Sequence, residues 1–212
     1  AQLIKYNKKF LIIGNKNAIG CKEIFPLFKE NKIRLGVSIH SGSVEFRIPS
    51  NQKPDNLNNY RLDEDGNIYV KNSSVRWFTN LNTSKRDKPL QLSGIYYTKE
   101  NYPKYDNYDA INVDKVADIP CDYPGIMGVP LTFMDKYCPE QFEILGLDRY
   151  TVPKNDLIGG RLNSSGKIKY ARILIINKHP EESECRERNI KVHVLNKVFD
   201  TGLALKMCKK IM

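Results

Sequence analysis

Two groups of cations are the residues of this 212-residue chain whose types and spacing best suit chemistry. Arg76, Lys85, Arg86 and Lys88 surround the aromatic strand pattern Trp77-Phe78 and the polar stretch after it. Arg161, Lys167, Lys169 and Arg172 fall on a second stretch patterned as a hairpin, where alternation gives Lys167 and Lys169 one exposed face that Arg172 could share. Such groups neutralise phosphates, and an arginine can read a guanine edge bidentately in a major groove. The predicted chemistry is binding of a polyanion. Trp77 is expected to pack in a core rather than serve as a stacking platform, as strand aromatics usually do.

No other constellation points to bond-making. Gly14 to Gly20 follows a strand and invites a phosphate-loop reading, but it fits neither G-x-G-x-x-G nor G-x-x-x-x-G-K-[ST]. A turn built on Asn15 and Asn17 explains it better. The carboxylates near Asp63–Asp65 and between Asp106 and Asp122 read as hairpin tips and solvated loops. Cys121 has no histidine near it in sequence and is expected to be structural. The histidines His40, His179 and His193 do not make a zinc frame with Cys185, so no metal is expected.

The elements that must position the cations can be read from periodicity. Residues 1–6 read as the end of a helix. Lys9 to Asn15 is a continuous apolar run predicted to be a parallel-type strand buried on both faces, followed by a helix near Cys21–Asn31 with Pro26 in its first turn. Antiparallel patterns come next: Val37-Ser38-Ile39 with Val44–Ile48 around Ser41-Gly42-Ser43, and Tyr60–Leu62 with Asn67–Val70 around Asp63-Glu64-Asp65-Gly66. Val75–Leu81 and Phe142–Leu147 read as strands, and Leu131–Tyr137 as a short helix. Residues 159–177 read as one hairpin, with Gly159–Leu162 and Lys167–Asn177 flanking Asn163-Ser164-Ser165-Gly166. The tail from Lys178 is not assigned.

Composition narrows the class. Residues 1–100 carry 17 Lys/Arg against 9 Asp/Glu, residues 101–150 carry 4 against 9, and residues 151–212 carry 13 against 6. Two basic regions flanking an acidic one, with a pI near 9.3, suit a protein with a phosphate-facing side. The five cysteines contain no C-x-x-C pair and are odd in number, which predicts reduced thiols and a cytoplasmic protein. No apolar run is long enough for a transmembrane helix, so no membrane partner is expected. The chain opens Ala-Gln-Leu-Ile, without an initiator Met or a signal sequence, and reads as an excised segment.

Several blocks then resemble one family. They are Lys8 to Ile19 with Lys22 to Leu27, Arg76 to Leu81, Tyr102 to Ala110, Ile119 to Tyr123, Gly125 to Phe133, Asp135 to Tyr137 and Gln141 to Ile144. In this order they resemble the adenine-specific DNA methyltransferases typified by the EcoRI modification methylase, from about residue 1 to 177. The resemblance implies methyl transfer from S-adenosylmethionine to the exocyclic amine of an adenine flipped out of duplex DNA. It also implies a cofactor loop of the F-x-G-x-G type and an Asn/Asp-Pro-Pro-Phe/Tyr loop. Neither is present, since the chain has no Pro-Pro pair, and no catalytic residue can be carried over.

The expected fold class is therefore α/β, α+β as a fragment: the C-terminal part of a Rossmann-like methyltransferase sheet followed by a mixed, β-rich target-recognition region. The expected division is residues 1–84 for the catalytic-domain portion, 85–177 for target recognition and 178–212 for a tail. Double-stranded DNA and the N-terminal remainder of the same polypeptide are the expected partners. The alternatives are a stand-alone DNA-binding specificity protein without catalysis and a basic globular protein with no nucleic-acid role.

Overall fold

The computed structural model describes residues 2–36, 44–49, 51–52, 60–82, 88–154 and 160–181. The strands, in chain order, are β1 (Leu11–Asn15), β2 (Arg34–Leu35), β3 (Val44–Ile48), β4 (Tyr60–Leu62), β5 (Ile68–Asn72), β6 (Val75–Thr79), β7 (Ile111–Asn112), β8 (Met127–Pro130), β9 (Phe142–Leu147), β10 (Asn163–Ser164), β11 (Lys167–Ile168) and β12 (Arg172–Asn177). Three short α-helices accompany them: α1 (Gln2–Lys5), α2 (Phe25–Lys29) and α3 (Asp148–Thr151). Strands dominate and helices are few and short, an α+β arrangement.

The first sheet has the order β1-β6-β2. Both outer strands run antiparallel to β6, with Leu11 opposite Thr79 and Arg34 opposite Thr79 on the other side. β1 and β2 therefore point the same way, joined across α2, but β6 stands between them. Pro26 occupies the first turn of α2, where its missing N–H costs nothing. The expected strand followed by a helix is thus present, whereas the strand expected to be of parallel type pairs antiparallel, with β6.

The expected burial of β1 on both faces is also corrected. Leu11, Ile12 and Ile13 are 54%, 46% and 47% exposed, so neither face of β1, the outer strand of its sheet, is sealed by packing. Phe78 on β6 is buried and meets Phe28 of α2 at a ring separation of 6.0 Å. Trp77 is half-buried, and Gly36, whose N–H bonds the Trp77 carbonyl at 2.7 Å, leaves no room for a side chain beside it.

A second sheet, β3-β5-β4, is an excursion between β2 and β6. The expected hairpin around Asp63–Gly66 forms: Asp63 Oδ1 accepts from the N–H groups of Asp65 (3.1 Å) and Asn67 (2.7 Å), and Leu62 pairs with Ile68. Val44–Ile48 is the strand β3, paired with β5; its expected partner, residues 37–39, lies outside the described residues.

The third sheet, β7-β8-β12-β9, is the interior of the molecule. β12 lies between β8 and β9 and pairs antiparallel with both, and Ile173, Leu174 and Ile175 are fully buried. Its apolar cluster is continuous with that of the first sheet, joining Phe28, Leu35 and Phe78 to Met127, Phe133 and Phe142. The expected short helix after β8 is a 3₁₀ helix, Leu131–Asp135. The expected single hairpin over 159–177 is divided: β10 and β11 form a small hairpin, the chain leaves it at Lys169, and Arg172 begins a separate central strand.

Candidate nucleic-acid interface

The β10–β11 hairpin turns on two residues, Ser165 and Gly166, with φ of 52° and 72°. Positive φ at both central positions is the geometry that matches strand twist in a two-residue hairpin, and it strains a residue with a side chain such as Ser165. The Asp106 carboxylate offsets this by accepting both turn N–H groups, from Ser165 at 3.3 Å and Gly166 at 3.0 Å. Its neighbour Asn107 takes the Asn163 N–H at 3.0 Å and donates to the Arg161 carbonyl at 2.8 Å. The hairpin is thereby fastened to the 105–110 segment at its turn and its first strand.

A second anchor sits at the base. Asp114 accepts from Arg172 Nη2 at 2.8 Å and lies 3.4 Å from Lys169 Nζ. Partial burial works against its charged form, but hydrogen bonding from Asn112 and the charges of Lys169 and Arg172 outweigh that and hold its carboxyl below the usual range. Tyr105 fixes Asn112 in turn: its hydroxyl lies 2.9 Å from Asn112 Oδ1 and 3.1 Å from the Gly128 carbonyl, and burial pushes its pKa up. Behind this group is Asp148, fully buried, bonded by the Arg149 N–H at 2.7 Å, with its pKa raised by burial.

The eight cations expected from sequence fare differently. Arg161 and Lys167 are exposed on the hairpin, and Lys169 is partly exposed at its base. Arg172 is 7% exposed, which corrects its expected place on the hairpin's outer face: as first residue of a central strand its side chain is drawn inward to Asp114. Arg76 is likewise buried, with Nη1 on the Val75 carbonyl at 2.9 Å and Nε 3.9 Å from Asp135, so it braces β6 against the 3₁₀ turn. Lys88 is exposed, two residues before Leu90, whose backbone is held by the Gln141 side chain at 2.6 and 2.9 Å. Lys85 and Arg86 lie outside the described residues. Lys167, Lys169 and Arg172 line one cleft, Arg161 lies two residues before β10, and Arg76 lies apart on another sheet.

Asp106, Asn107 and Asp114 were missed by the sequence reading, which assigned this stretch to solvated loops. A turn that must hold Ser165 at positive φ was the available signal that a distant acceptor would be needed. The turn expected from Asn15 and Asn17 forms at Gly14–Gly20: Asn15 Oδ1 accepts from Asn17 N at 2.9 Å. Burial, with Glu181 and Asp122 nearby, pushes the Cys121 thiol up to about 11, where it is a poor nucleophile. No three His, Cys, Asp or Glu side chains among the described residues are grouped to hold a metal. No helix among them is long and apolar enough to cross a membrane.

The family described as adenine-specific methyltransferase EcoRI matches residues 1–193, and the chain belongs to that methyltransferase family. It is 49% identical over 178 residues to the type II methyltransferase M.EcoRI of Escherichia coli, covering 84% of this chain and 52% of that protein. To the type II methyltransferase M.MpnI of Mycoplasma pneumoniae it is 37% identical over 189 residues, covering 82% of this chain and 58% of the relative. To M.MgeORF184P of Mycoplasma genitalium it is 36% identical over 191 residues, with coverages of 82% and 58%. The chain thus spans a little over half the length of the curated relatives it matches. No solved structure matches it.

Proposed function

We propose that the chain is the C-terminal portion of an S-adenosylmethionine-dependent adenine-N6 DNA methyltransferase of a restriction–modification system, working in the cytoplasm. In this reading residues 1–84 complete the catalytic sheet and residues 85–177 recognise duplex DNA. The observation that carries it is the fastened β10–β11 hairpin, which offers Arg161, Lys167 and Lys169 on a base held by Asp106, Asn107 and Asp114. A rigid cationic projection fixes register on a phosphate backbone without paying to order a loop. Family membership supplies the methyl-transfer chemistry of the reading.

The exposed side of β1 supports the division of labour. Leu3, Ile4, Phe10, Ile12, Leu27 and Phe78 line an apolar cleft of about 180 Å³ beside it. An outer strand with this much exposed aliphatic surface, and no second strand partner among the described residues, is suited to receive another strand and its cover. In this reading the N-terminal remainder of the polypeptide is what docks there.

The cofactor belongs to that remainder too. The described cleft at β1 has no carboxylate in its lining to hold ribose hydroxyls or an amine, so these residues alone do not fit S-adenosylmethionine. No catalytic step is assigned to them. The purified 212-residue chain is expected to bind labelled duplex with steep salt dependence and to transfer no methyl group from S-adenosylmethionine. Methyl transfer by this chain alone overturns the division of labour; no duplex binding at low salt overturns the recognition role.

A further inference from the structure

Tyr170 lies in the short stretch between β11 and β12. It is 90% exposed, the highest value among the large hydrophobic side chains described. A single exposed aromatic is ordinary and means nothing by itself. Its setting separates this one from the ordinary case.

The backbone on both sides of Tyr170 is held. Lys169 donates its N–H to the Leu162 carbonyl at 2.9 Å and its ammonium lies on Asp114, while Arg172 is buried on the same carboxylate. The ring is therefore carried on a short bridge between two anchored residues. It lines a cleft of about 850 Å³ together with the cations Lys167, Lys169 and Arg172 and the carboxylates Asp114 and Asp118; Asp114 is engaged by Lys169 and Arg172, which leaves Lys167 as the exposed charge. The cleft volume is within the range of about 300–1,000 Å³ typical of sites that take a small molecule. Ile168, 48% exposed, adds apolar surface beside it.

An unpacked aromatic beside cations, with open space next to it, is the combination by which proteins hold nucleic-acid strands: charge takes the phosphates and the ring takes a base face. In an undistorted duplex those faces are covered by neighbouring pairs, so the ring finds one only where a step is opened or kinked. We infer that Tyr170 stacks on a base exposed at an opened step of the DNA duplex, with Lys167 on the adjoining phosphate. This rests on the recognition role of the hairpin. It adds a contact that salt does not weaken, and so a role in telling opened from closed DNA.

The test compares two labelled duplexes, one fully paired and one carrying a single unpaired base, against the 212-residue chain. The chain is expected to prefer the duplex with the unpaired base. Tyr170→Ala is expected to weaken binding to that duplex about 5- to 150-fold, the loss typical of one aromatic–base stack, and to abolish the preference. Tyr170→Phe, which keeps the ring, is expected to retain both. Equal binding of the two duplexes by the unaltered chain, or a preference that survives in Tyr170→Ala, overturns the inference while leaving the recognition role standing. Failure to bind either duplex at low salt overturns the recognition role and the inference with it.

Discussion

The strands Leu11–Asn15 and Arg172–Asn177 carry similar apolar runs and end in opposite surroundings. β12 has a strand on each side, and Ile173, Leu174 and Ile175 are sealed from water. β1 has β6 on one side, and Leu11, Ile12 and Ile13 stay about half exposed. Hydrophobic sequence therefore sets what a strand would gain from burial, while neighbours decide whether it is buried. The difference divides the described residues into an inner sheet whose central strand is sealed and an outer sheet whose β1 keeps apolar surface exposed.

The largest effect is expected from the inner sheet. Leu174→Ala should cost about 2–5 kcal/mol in urea unfolding, the loss typical of a sealed leucine. A cost near zero would mean that β12 is not the interior strand. Asp114→Asn comes next, at about 1 kcal/mol, because it removes the charge paired with the Arg172 guanidinium while its 59% exposed side chain keeps an acceptor. That loss should be accompanied by a less ordered hairpin, visible as faster amide exchange at Lys169.

Two acids behind the hairpin sharpen the comparison through pH, with opposite signs. Folding lowers the pKa of Asp114, so its contribution is present above the ordinary carboxylate pKa and lost as pH falls through the lowered value. Folding raises the pKa of Asp148, so its contribution is present below the ordinary pKa and lost as pH rises through the raised value. Asp148→Asn keeps an acceptor for the Arg149 N–H and should remove that second loss. Urea titrations of both proteins across the carboxylate range should show the curve of the variant flatter on its alkaline side.

The smallest effect belongs to the outer strand. Ile12→Ala should change the stability of the chain by less than about 1 kcal/mol, since the side chain is already half in water. A loss as large as that at Leu174 would show that β1 is covered in solution, and would remove the main support for a docking partner on that face.

Local features were legible in the sequence, and distant ones were not. β6, β9, the Asp63–Gly66 turn and the first-turn position of Pro26 follow from alternation, turn residues and proline chemistry within a few residues of each other. The pairing of β1 with β6 spans more than sixty residues, and nothing in an apolar run states its partner or its direction. Arg172 illustrates the same limit. Alternation from Lys167 and Lys169 leaves it out of phase, five positions on, but names no partner; the bond to Asp114, 58 residues away, is what holds it inward. In the hairpin region the exposure of Arg161 and Lys167 was legible, the burial of Arg172 was not, and neither were the Asp106, Asn107 and Asp114 contacts that fasten the hairpin. Family membership was readable because its blocks are long and distinctive.

If the hairpin meets the phosphates of duplex DNA, its exposed cations must set part of the salt dependence of binding. Arg161 and Lys167 are exposed on the hairpin, so replacing both by Gln should leave the fold intact. Each lost phosphate contact lowers the slope of log K against log salt by about 1. The double variant Arg161→Gln, Lys167→Gln is therefore expected to bind duplex with a slope shallower by about 2 than the unaltered chain. A slope unchanged by both substitutions would contradict the account and move the DNA to another face of the molecule.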